Sequence, residues 1–238
     1  NPMSWFSTAN KIANEKPGLV IIRYWLPFMA PALGTIAKLL RRKSIHVIAI
    51  TDNVIPHEKR PGDSMFTKYF VNNCDAFITM SKSVLSDLTK FTSTRKKKFI
   101  PHPVYNIFGE AISKSEARKK LSIPENDKLI LFFGFIRSYK GLDLLIEAMN
   151  EPEVKQQNVR LLIAGEFYED NKPYLDRINE LNAENRFILH TSFIGKDEVK
   201  NYFCAADLVV QPYKSATQSG ITQIAYYFGR PMLVTKVG

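Results

Sequence analysis

Cysteine is scarce in this sequence: its 238 residues include only Cys74 and Cys204. The two lie far apart along the chain in apolar surroundings, which favours reduced thiols in the core over a disulfide. The four histidines show none of the spacings typical of metal ligands. The sequence therefore predicts neither a disulfide-stapled protein nor a zinc ribbon, and it predicts no metal site.

Several common catalytic motifs are also absent. The chain has no G-x-G-x-x-G dinucleotide fingerprint, no G-x(4)-G-K-[ST] phosphate loop and no G-x-S-x-G nucleophile elbow. The apolar stretch 19–37 is interrupted by Arg23, Pro27 and Pro31, which favours a strand, a turn and the start of a helix over a membrane span. These absences argue against the usual dehydrogenases, NTPases, serine hydrolases and metalloenzymes.

Acidic residues are few in the first half of the chain. Residues 1–110 contain 16 Lys and Arg against 7 Asp and Glu, whereas residues 111–238 contain 17 against 16. Solvated Lys-rich surfaces and contact with an anionic membrane surface both fit this excess of positive charge. Nucleic acid is not expected as a partner, because no known reader motif accompanies the charge; a nucleic-acid-binding protein, suggested by charge alone, is the remote alternative. The basic clusters are Lys38, Arg41, Arg42 and Lys43, and then Arg95, Lys96, Lys97 and Lys98.

Short apolar, β-branched runs alternate with helical patterns along the whole chain. Near-continuous hydrophobicity within each run favours strands that are buried on both faces, as in parallel sheets. Helical spacing is clear at residues 142–149 and 84–91. The alternation predicts an α/β protein with doubly wound parallel sheets. The predicted strands are 19–23, 45–51, 76–80, 98–101, 129–133, 160–164, 187–190, 207–211 and 232–235.

These strands fall into two groups. Residues 101–127 separate the groups and are rich in Pro and Gly around one short helix, predicted near 114–121. We therefore expect one Rossmann-like domain at residues 1–105 and a second at residues 106–238.

Residues 129–150, LILFFGFIRSYKGLDLLIEAMN, combine a buried strand, a short loop and an amphipathic helix. The strand ends at Gly134, and the loop carries Arg137 and Lys140. Loops at the carboxyl ends of parallel strands line the ligand crevice of doubly wound sheets. Two cations in such a loop suit a diphosphate, whose charge they neutralise as it leaves. A solvated turn with two surface cations is the alternative.

A second candidate segment follows the strand at 207–211. Ser219 and Gly220 precede a helical pattern that begins at Ile221 and ends before Gly229. Small residues at a helix start let an anion approach exposed backbone N–H groups and the positive end of the helix dipole. Ordinary N-capping by Ser219 is the alternative.

The order of these segments resembles that of a known family. GFIRSYKGLDLLIEAM resembles the signature of the family 4 retaining glycosyltransferases, which have two facing Rossmann-like domains, the GT-B fold. LLIAGE, FCAADLVVQPY and GRPMLVTKVG are similar to later elements of the same carboxyl-terminal domain. In the first half, DNVIPHE, DAFITMSKSV and IPHPVYNIFG resemble one branch of the family, so that the resemblance covers about residues 45–238.

The resemblance implies that the second domain binds a nucleotide-diphosphate sugar as donor substrate, with no cofactor and no metal ion. Arg137 and Lys140 match the family's paired catalytic cations on the donor diphosphate. Gly134 matches the glycine that lets the nucleotide approach the strand end. The segment Ser219, Gly220 and Ile221 would hold the diphosphate through its backbone. Transfer would proceed with retention at the anomeric carbon.

The chain departs from the family pattern at two positions. The family usually has two glutamates in the pattern E-x(7)-E, and the corresponding residues here are Ala216 and Ile224. Neither side chain accepts a hydrogen bond, so Gln218 or Gln223 is the candidate for the missing donor contacts. The loss favours an alternative function, a non-catalytic nucleotide-binding or scaffold module of the same fold.

The first domain would bind the acceptor. The family often has a histidine near the acceptor after an early strand; this chain has Asp52 directly after the strand 45–51, followed by His57 and Glu58. All three are candidates for contacts with acceptor hydroxyls or for general acid–base chemistry. A turn at Asp52 and a surface ion pair at Glu58 are the alternatives.

The sequence thus predicts a hexosyltransferase of polysaccharide biosynthesis that transfers a sugar to a glycan or lipid-linked acceptor. It would act in the cytoplasm, at the inner face of the cell membrane. We also expect a fragment: the family's first domain opens with further strands, so its sheet here would be incomplete with an uncovered edge, and the second domain would stop before its closing helices. Such a fragment should bind nucleotide through its second domain but lack transfer activity.

Overall fold

Within the residues described by the computed structural model, 1–56, 60–94, 96–181 and 186–237, nine strands form two separate sheets. All strand pairs in both sheets are parallel. The chain divides into two units, residues 1–102 and 103–237, each with its own sheet. The predicted fold class, α/β with two parallel sheets, is confirmed.

The first unit has the sheet order β1-β2-β3-β4, so that each strand pairs with the next one along the chain. In register, Leu19 lies opposite His46, and Ile48 lies opposite Ala76. The elements are α1 (Pro2–Asn14), β1 (Leu19–Tyr24), a 3-10 turn (Pro27–Met29), α2 (Ala30–Arg42), β2 (His46–Thr51), α3 (Asp63–Asn72), β3 (Ala76–Thr79), α4 (Lys82–Leu88) and β4 (Lys97–Phe99).

Alternate residues of these strands have different surroundings. Val47, Ala49 and Phe77 are buried in one core with residues of α2, α3 and α4. Leu19 and Ile21, which have the opposite parity, are largely exposed. The helices therefore pack on one face of this sheet, and β1 lies at its edge.

The second unit has the sheet order β7-β6-β5-β8-β9. Starting from β5, strands β6 and β7 are added on one side, and strands β8 and β9 are then added on the other side. The elements are α5 (Lys114–Lys120), β5 (Lys128–Phe133), a 3-10 turn (Ser138–Lys140), α6 (Leu142–Ala148), α7 (Pro152–Gln156), β6 (Val159–Ala164), α8 (Lys172–Glu180), β7 (Phe187–His190), α9 (Val199–Ala205), β8 (Leu208–Gln211), α10 (Gly220–Tyr227) and β9 (Met232–Val234).

Both faces of this second sheet are covered. Leu129 and Leu131 of β5 lie in a core with α5, α9 and α10, whereas Phe132 lies in a second core with α6 and α8. A parallel sheet buried on both faces requires the near-continuous hydrophobicity that the sequence shows in these strands.

The division between the units falls three residues before the predicted position between residues 105 and 106. Tyr105 and Phe108 pack against the core of the second unit. The buried guanidinium of Arg118 donates to the carbonyl oxygen of Ala205 (3.1 Å) and to Asp207 (2.9 Å). These contacts attach residues 103–120 to the second unit.

Both cysteines are free and buried, Cys74 in the first unit and Cys204 in the second. None of the helices in the described ranges combines the length and the apolar character that crossing a bilayer needs.

Candidate functional site

The candidate donor site lies at the carboxyl edge of the second sheet, between β5 and β8. These two strands are neighbours, and the direction of strand order reverses between them. In open α/β sheets, ligands bind outside the carboxyl ends of the strands at such a reversal. The loop after β5 and the loop between β8 and α10 therefore meet where a ligand is expected.

Three of the predicted site residues converge at this point. Gly134 follows β5 with φ +100°, and a Cβ added to it would lie 3.2 Å from Ile221 Cδ1 and 3.4 Å from Lys140 Nζ. Glycine adopts this backbone conformation without the strain that a side chain brings. Its missing side chain also leaves open the space between the loop after β5 and the first turn of α10.

Two further glycines let these loops approach each other closely. A Cβ on Gly165, after β6, would overlap the carbonyl group of Gly134. A Cβ on Gly141, between the 3-10 turn and α6, would overlap the carbonyl oxygen of Pro212. The Lys214 N–H also donates to the carbonyl oxygen of Tyr139 (2.8 Å). Backbone contacts thus fix the loop with the two cations against the loop after β8.

Lys140 is the more buried of the two predicted cations, at 9% exposure. Its Nζ lies 5.9 Å from the centre of the Tyr213 ring, and within the described residues it forms no ion pair. Burial, followed by the nearby Arg137 guanidinium, lowers the pKa of Lys140 from 10.5 to about 8. A buried ammonium group is costly without an anionic partner. This position therefore favours an anionic ligand.

Arg137 lies at the start of the same turn and is half-buried. Its guanidinium carbon is 5.0 Å from the centre of the Tyr168 ring, which itself contacts Phe135. The Lys140 N–H donates to the Arg137 carbonyl oxygen (2.9 Å). The two cations are thus held in one short turn, with Arg137 stacked on an aromatic ring.

The start of α10 is held by a partly buried hydrogen-bond network rather than by N-capping. The Gln211 amide nitrogen donates to Ser219 Oγ (2.8 Å), and the Gln211 amide oxygen accepts from Thr222 Oγ1 (3.0 Å). Within the described residues, the Ser219 hydroxyl makes no capping hydrogen bond to the helix. The alternative of ordinary N-capping by Ser219 is therefore wrong. The Ser219 hydroxyl does not occupy the N–H groups in the first turn of α10, to which a ligand would bind.

Sequence reasoning identified Ser219 but missed Gln211, Tyr213 and Thr222, its partners in this network. Gln211, 5% exposed, was expected only as the last residue of an apolar strand. Tyr213 lies between the two halves of the site, since its hydroxyl is 3.3 Å from Ser219 Oγ and its ring lies near Lys140. Burial raises the pKa of Tyr213 to about 12, so its hydroxyl stays neutral. The available signal was a glutamine that ends the buried run LVVQ.

The two positions of the missing glutamates have different surroundings. Ile224 is buried in the core beside β5, whereas Ala216 is half-buried. Gln218, directly before Ser219, and Gln223, in α10, are both half-buried. Their roles as substitutes stay predictions.

The acceptor-side candidates lie in the first unit. Asp52 follows β2, and its Oδ2 accepts a hydrogen bond from Arg23 Nε of β1 (2.5 Å). The Asp52 N–H donates to the Tyr24 carbonyl oxygen (2.9 Å), so the carboxylate and the guanidinium are fixed at the carboxyl edge of the sheet. His57 and Glu58 lie outside the described residues. In the described part of the chain, no three His, Cys, Asp or Glu side chains are grouped so that they could hold a metal ion.

Comparison with known proteins gives relatives among glycosyltransferases. The chain is 28% identical over 170 residues to an uncharacterized glycosyltransferase of Methanocaldococcus jannaschii, an alignment that covers 68% of this chain and 42% of that protein. It is 30% identical over 163 residues to the lipopolysaccharide glucosyltransferase WaaG of Escherichia coli, covering 64% and 41%. The chain thus spans less than half the length of these relatives.

The fold is shared with solved GT-B structures. One of them is HepE of Anabaena in complex with UDP and glucose, with a TM-score of 0.75 and 17% identity over 97% of this chain and 63% of that one. Residues 113–238, more than half of the chain, match the family described as glycosyl transferases group 1. That match includes the loop with Arg137 and Lys140, the segment Ser219–Ile221 and the strands that position them, and the chain therefore belongs to the glycosyl transferases group 1 family.

Proposed function

We propose that this chain contains the donor site and part of the acceptor site of a glycosyltransferase. The enzyme would transfer a hexosyl group from a nucleotide-diphosphate sugar to a glycan or lipid-linked acceptor. The convergence of Gly134, Lys140 and Ile221 at the reversal of strand order carries this proposal. The UDP bound in the HepE complex supports a nucleoside diphosphate as the ligand.

In the proposed reaction the bond between the anomeric carbon and the donor diphosphate breaks, and a bond to the acceptor oxygen forms. The acceptor hydroxyl gives its proton to the leaving diphosphate. Arg137, Lys140 and the first N–H groups of α10 would stabilise the negative charge that develops on the diphosphate. We propose that these two cations act without a metal ion, and that the acceptor attacks from the face that the diphosphate leaves, with retention.

The acceptor site is proposed at the carboxyl edge of the first sheet, beside Asp52 and Arg23. Beyond β1, the exposed side chains of Trp25, Leu26 and Phe28 supply apolar surface that suits a lipid-linked acceptor. WaaG is named for its action on lipopolysaccharide, which supports the same class of acceptor.

The positive charge of residues 1–110 supports work at the anionic inner face of the cell membrane. Sedimentation with phosphatidylglycerol vesicles should exceed that with phosphatidylcholine vesicles and decrease with salt; equal sedimentation with both would contradict this partner.

The donor site is tested by calorimetric titration of the chain with UDP, GDP and ADP. At least one of these nucleotides should bind, and Arg137→Ala and Lys140→Ala should each weaken it. Lys172→Ala is the matched control, because Lys172 is an exposed lysine of the same unit paired only with its helix neighbour Asp176 among the described residues. If none of the three nucleotides binds, or if both site variants bind like the control, the donor site is wrong.

One observation favours a second candidate, a non-catalytic nucleotide-binding module of the same fold. Ala216 and Ile224 provide no carboxylate at the two positions where the resembled family has glutamates, and Ile224 belongs to the core. The full-length protein distinguishes the two candidates. Sugar transfer or donor hydrolysis supports the enzyme, whereas nucleotide binding without either supports the module.

A further inference from the structure

A pocket lies in the first unit, at the amino ends of the strands and thus opposite to the proposed acceptor site. Its volume is about 520 Å³, and its lining includes the end of α2, the start of β2 and the residues before β3. His46, the first residue of β2, lines the pocket, whereas Asp52 directly follows the last residue of that strand. A strand of six residues is roughly 20 Å long. The pocket is therefore well separated from the acceptor-side residues.

The lining of this pocket is strongly basic. Lys38, Arg41 and Arg42 share one face of α2, because residues three and four positions apart are neighbours on a helix. His46 adds an imidazole, which carries a positive charge only when it is protonated. Asp75 is the acidic residue of the lining, which leaves an excess of positive charge even with His46 neutral.

The carboxylate of Asp75, the single one in the pocket lining, already has protein partners. Asp75 Oδ1 pairs with Arg41 Nε (2.8 Å), and Asp75 Oδ2 accepts a hydrogen bond from the Val47 N–H (2.8 Å). Arg41 also donates to the carbonyl oxygen of Asn72 (3.2 Å), so its guanidinium is held in place. Within the described residues, Lys38 and Arg42 form no ion pair with a protein carboxylate. Two exposed cations thus remain beside one fixed guanidinium.

Stabilisation of the helix explains only part of this arrangement. Arg41 and Arg42 lie in the last turn of α2, where cations interact favourably with the helix dipole. This effect falls off within the last turn and does not account for Lys38, which lies one turn earlier. It also does not account for a pocket between the three cations and the start of β2.

We propose that this pocket binds a phosphate group, either of a lipid headgroup or of a soluble phosphate compound. Arginine side chains present paired donors that match phosphate oxygens, and a lysine adds a mobile positive charge. The site would be separate from the donor site and does not depend on sugar transfer, so it goes beyond the proposed function.

The test compares two double variants that lose the same charge. Lys38→Ala with Arg42→Ala removes the two unpaired cations of the pocket, and Lys96→Ala with Lys98→Ala removes two exposed lysines elsewhere in the same unit. All proteins also carry Lys140→Ala, so that the proposed donor site does not contribute. The probes are inorganic pyrophosphate and phosphatidylcholine vesicles that contain phosphatidic acid. Vesicles of equal charge that contain oleate instead control for charge alone.

The pocket variant should bind its phosphate probe roughly tenfold or more weakly, since each basic group near an anionic surface contributes a factor of about five. The control variant should change less than about twofold. Binding of the phosphatidic acid vesicles alone would identify a lipid source, and binding of pyrophosphate would show that a soluble phosphate suffices. Equal losses in the two double variants, equal binding to oleate vesicles, or no binding of either phosphate probe would overturn the proposal.

Discussion

Replacement of Lys140 by methionine should increase the stability of the protein while it weakens nucleotide binding. Lys140 is 9% exposed, and its pKa is lowered from 10.5 to about 8, first by burial and then by Arg137. Each pKa unit corresponds to about 1.4 kcal/mol, so the folded protein holds this ammonium group at a cost of roughly 3 kcal/mol. Methionine is unbranched and apolar, so it removes the charge and still fills much of the space.

The effect on stability has a defined pH dependence. Because the folded-state pKa of about 8 is lower than 10.5, the unfolded chain binds more protons between these two values, and the stability of the unchanged protein rises with pH over this range. Lys140→Met should therefore raise the free energy of unfolding most below pH 8 and have no such advantage above pH 10.5. Urea denaturation at several pH values measures this difference.

Titration with nucleoside diphosphates supplies the second half of the experiment. Lys140→Met should bind UDP, GDP and ADP more weakly than the unchanged protein, since it lacks the buried cation. Lys172→Met, at an exposed lysine, should change neither stability nor binding by a large amount. Two results would contradict this role of Lys140: a Lys140→Met variant that is less stable than the unchanged protein at pH 7, or one that binds nucleotides with unchanged affinity.

Four further predictions concern the donor site. Gln211→Leu removes the hydrogen bonds to Ser219 and Thr222, so it should cost about 1–3 kcal/mol of stability and weaken nucleotide binding, as measured by denaturation and calorimetry. Gly134→Ala should destabilise the protein by about 1 kcal/mol or more, because its φ of +100° is unfavourable for alanine; a gain in stability would contradict this. The affinity for nucleoside diphosphates should fall about tenfold per pH unit above pH 8, because Lys140 loses its proton there; an affinity that does not change with pH would refute this. In an assay of the proposed sugar transfer, Arg137→Ala should lower kcat by about 10²–10³, and near-normal turnover would refute its role on the leaving group.

The strands were the most predictable part of the fold. Parallel strands buried on both faces need continuous apolar runs, and the runs at 129–133 and 160–164 correspond to β5 (Lys128–Phe133) and β6 (Val159–Ala164). Two helices were harder to recognise. The sequence of α3 (Asp63–Asn72) interleaves polar and apolar residues, and in α8 (Lys172–Glu180) the apolar stripe formed by Tyr174 and Ile178 is narrow within a mostly polar sequence.

At the proposed donor site, the positions of the two cations were predictable because they are local in the sequence. Arg137 and Lys140 occur in one short loop after an apolar strand, and that pattern alone indicates a position at the ligand edge of the sheet. The contacts of Gln211 with Ser219 and Thr222 were not predictable, because they arise only when α10 folds back on the end of β8. The proximity of Gly134 to Ile221 likewise depends on the pairing of β5 with β8.

The most direct test of the central claim is an amide resonance titration of this chain with the nucleoside diphosphate that binds best among UDP, GDP and ADP. We expect the largest shifts at Gly134, at Lys140 and at Ser219–Ile221, on the two loops at the reversal of strand order. At the same nucleotide concentration, these shifts should be smaller in Lys140→Met. Shifts concentrated elsewhere in the chain, or unchanged shifts in Lys140→Met, would contradict a donor site at this edge of the sheet.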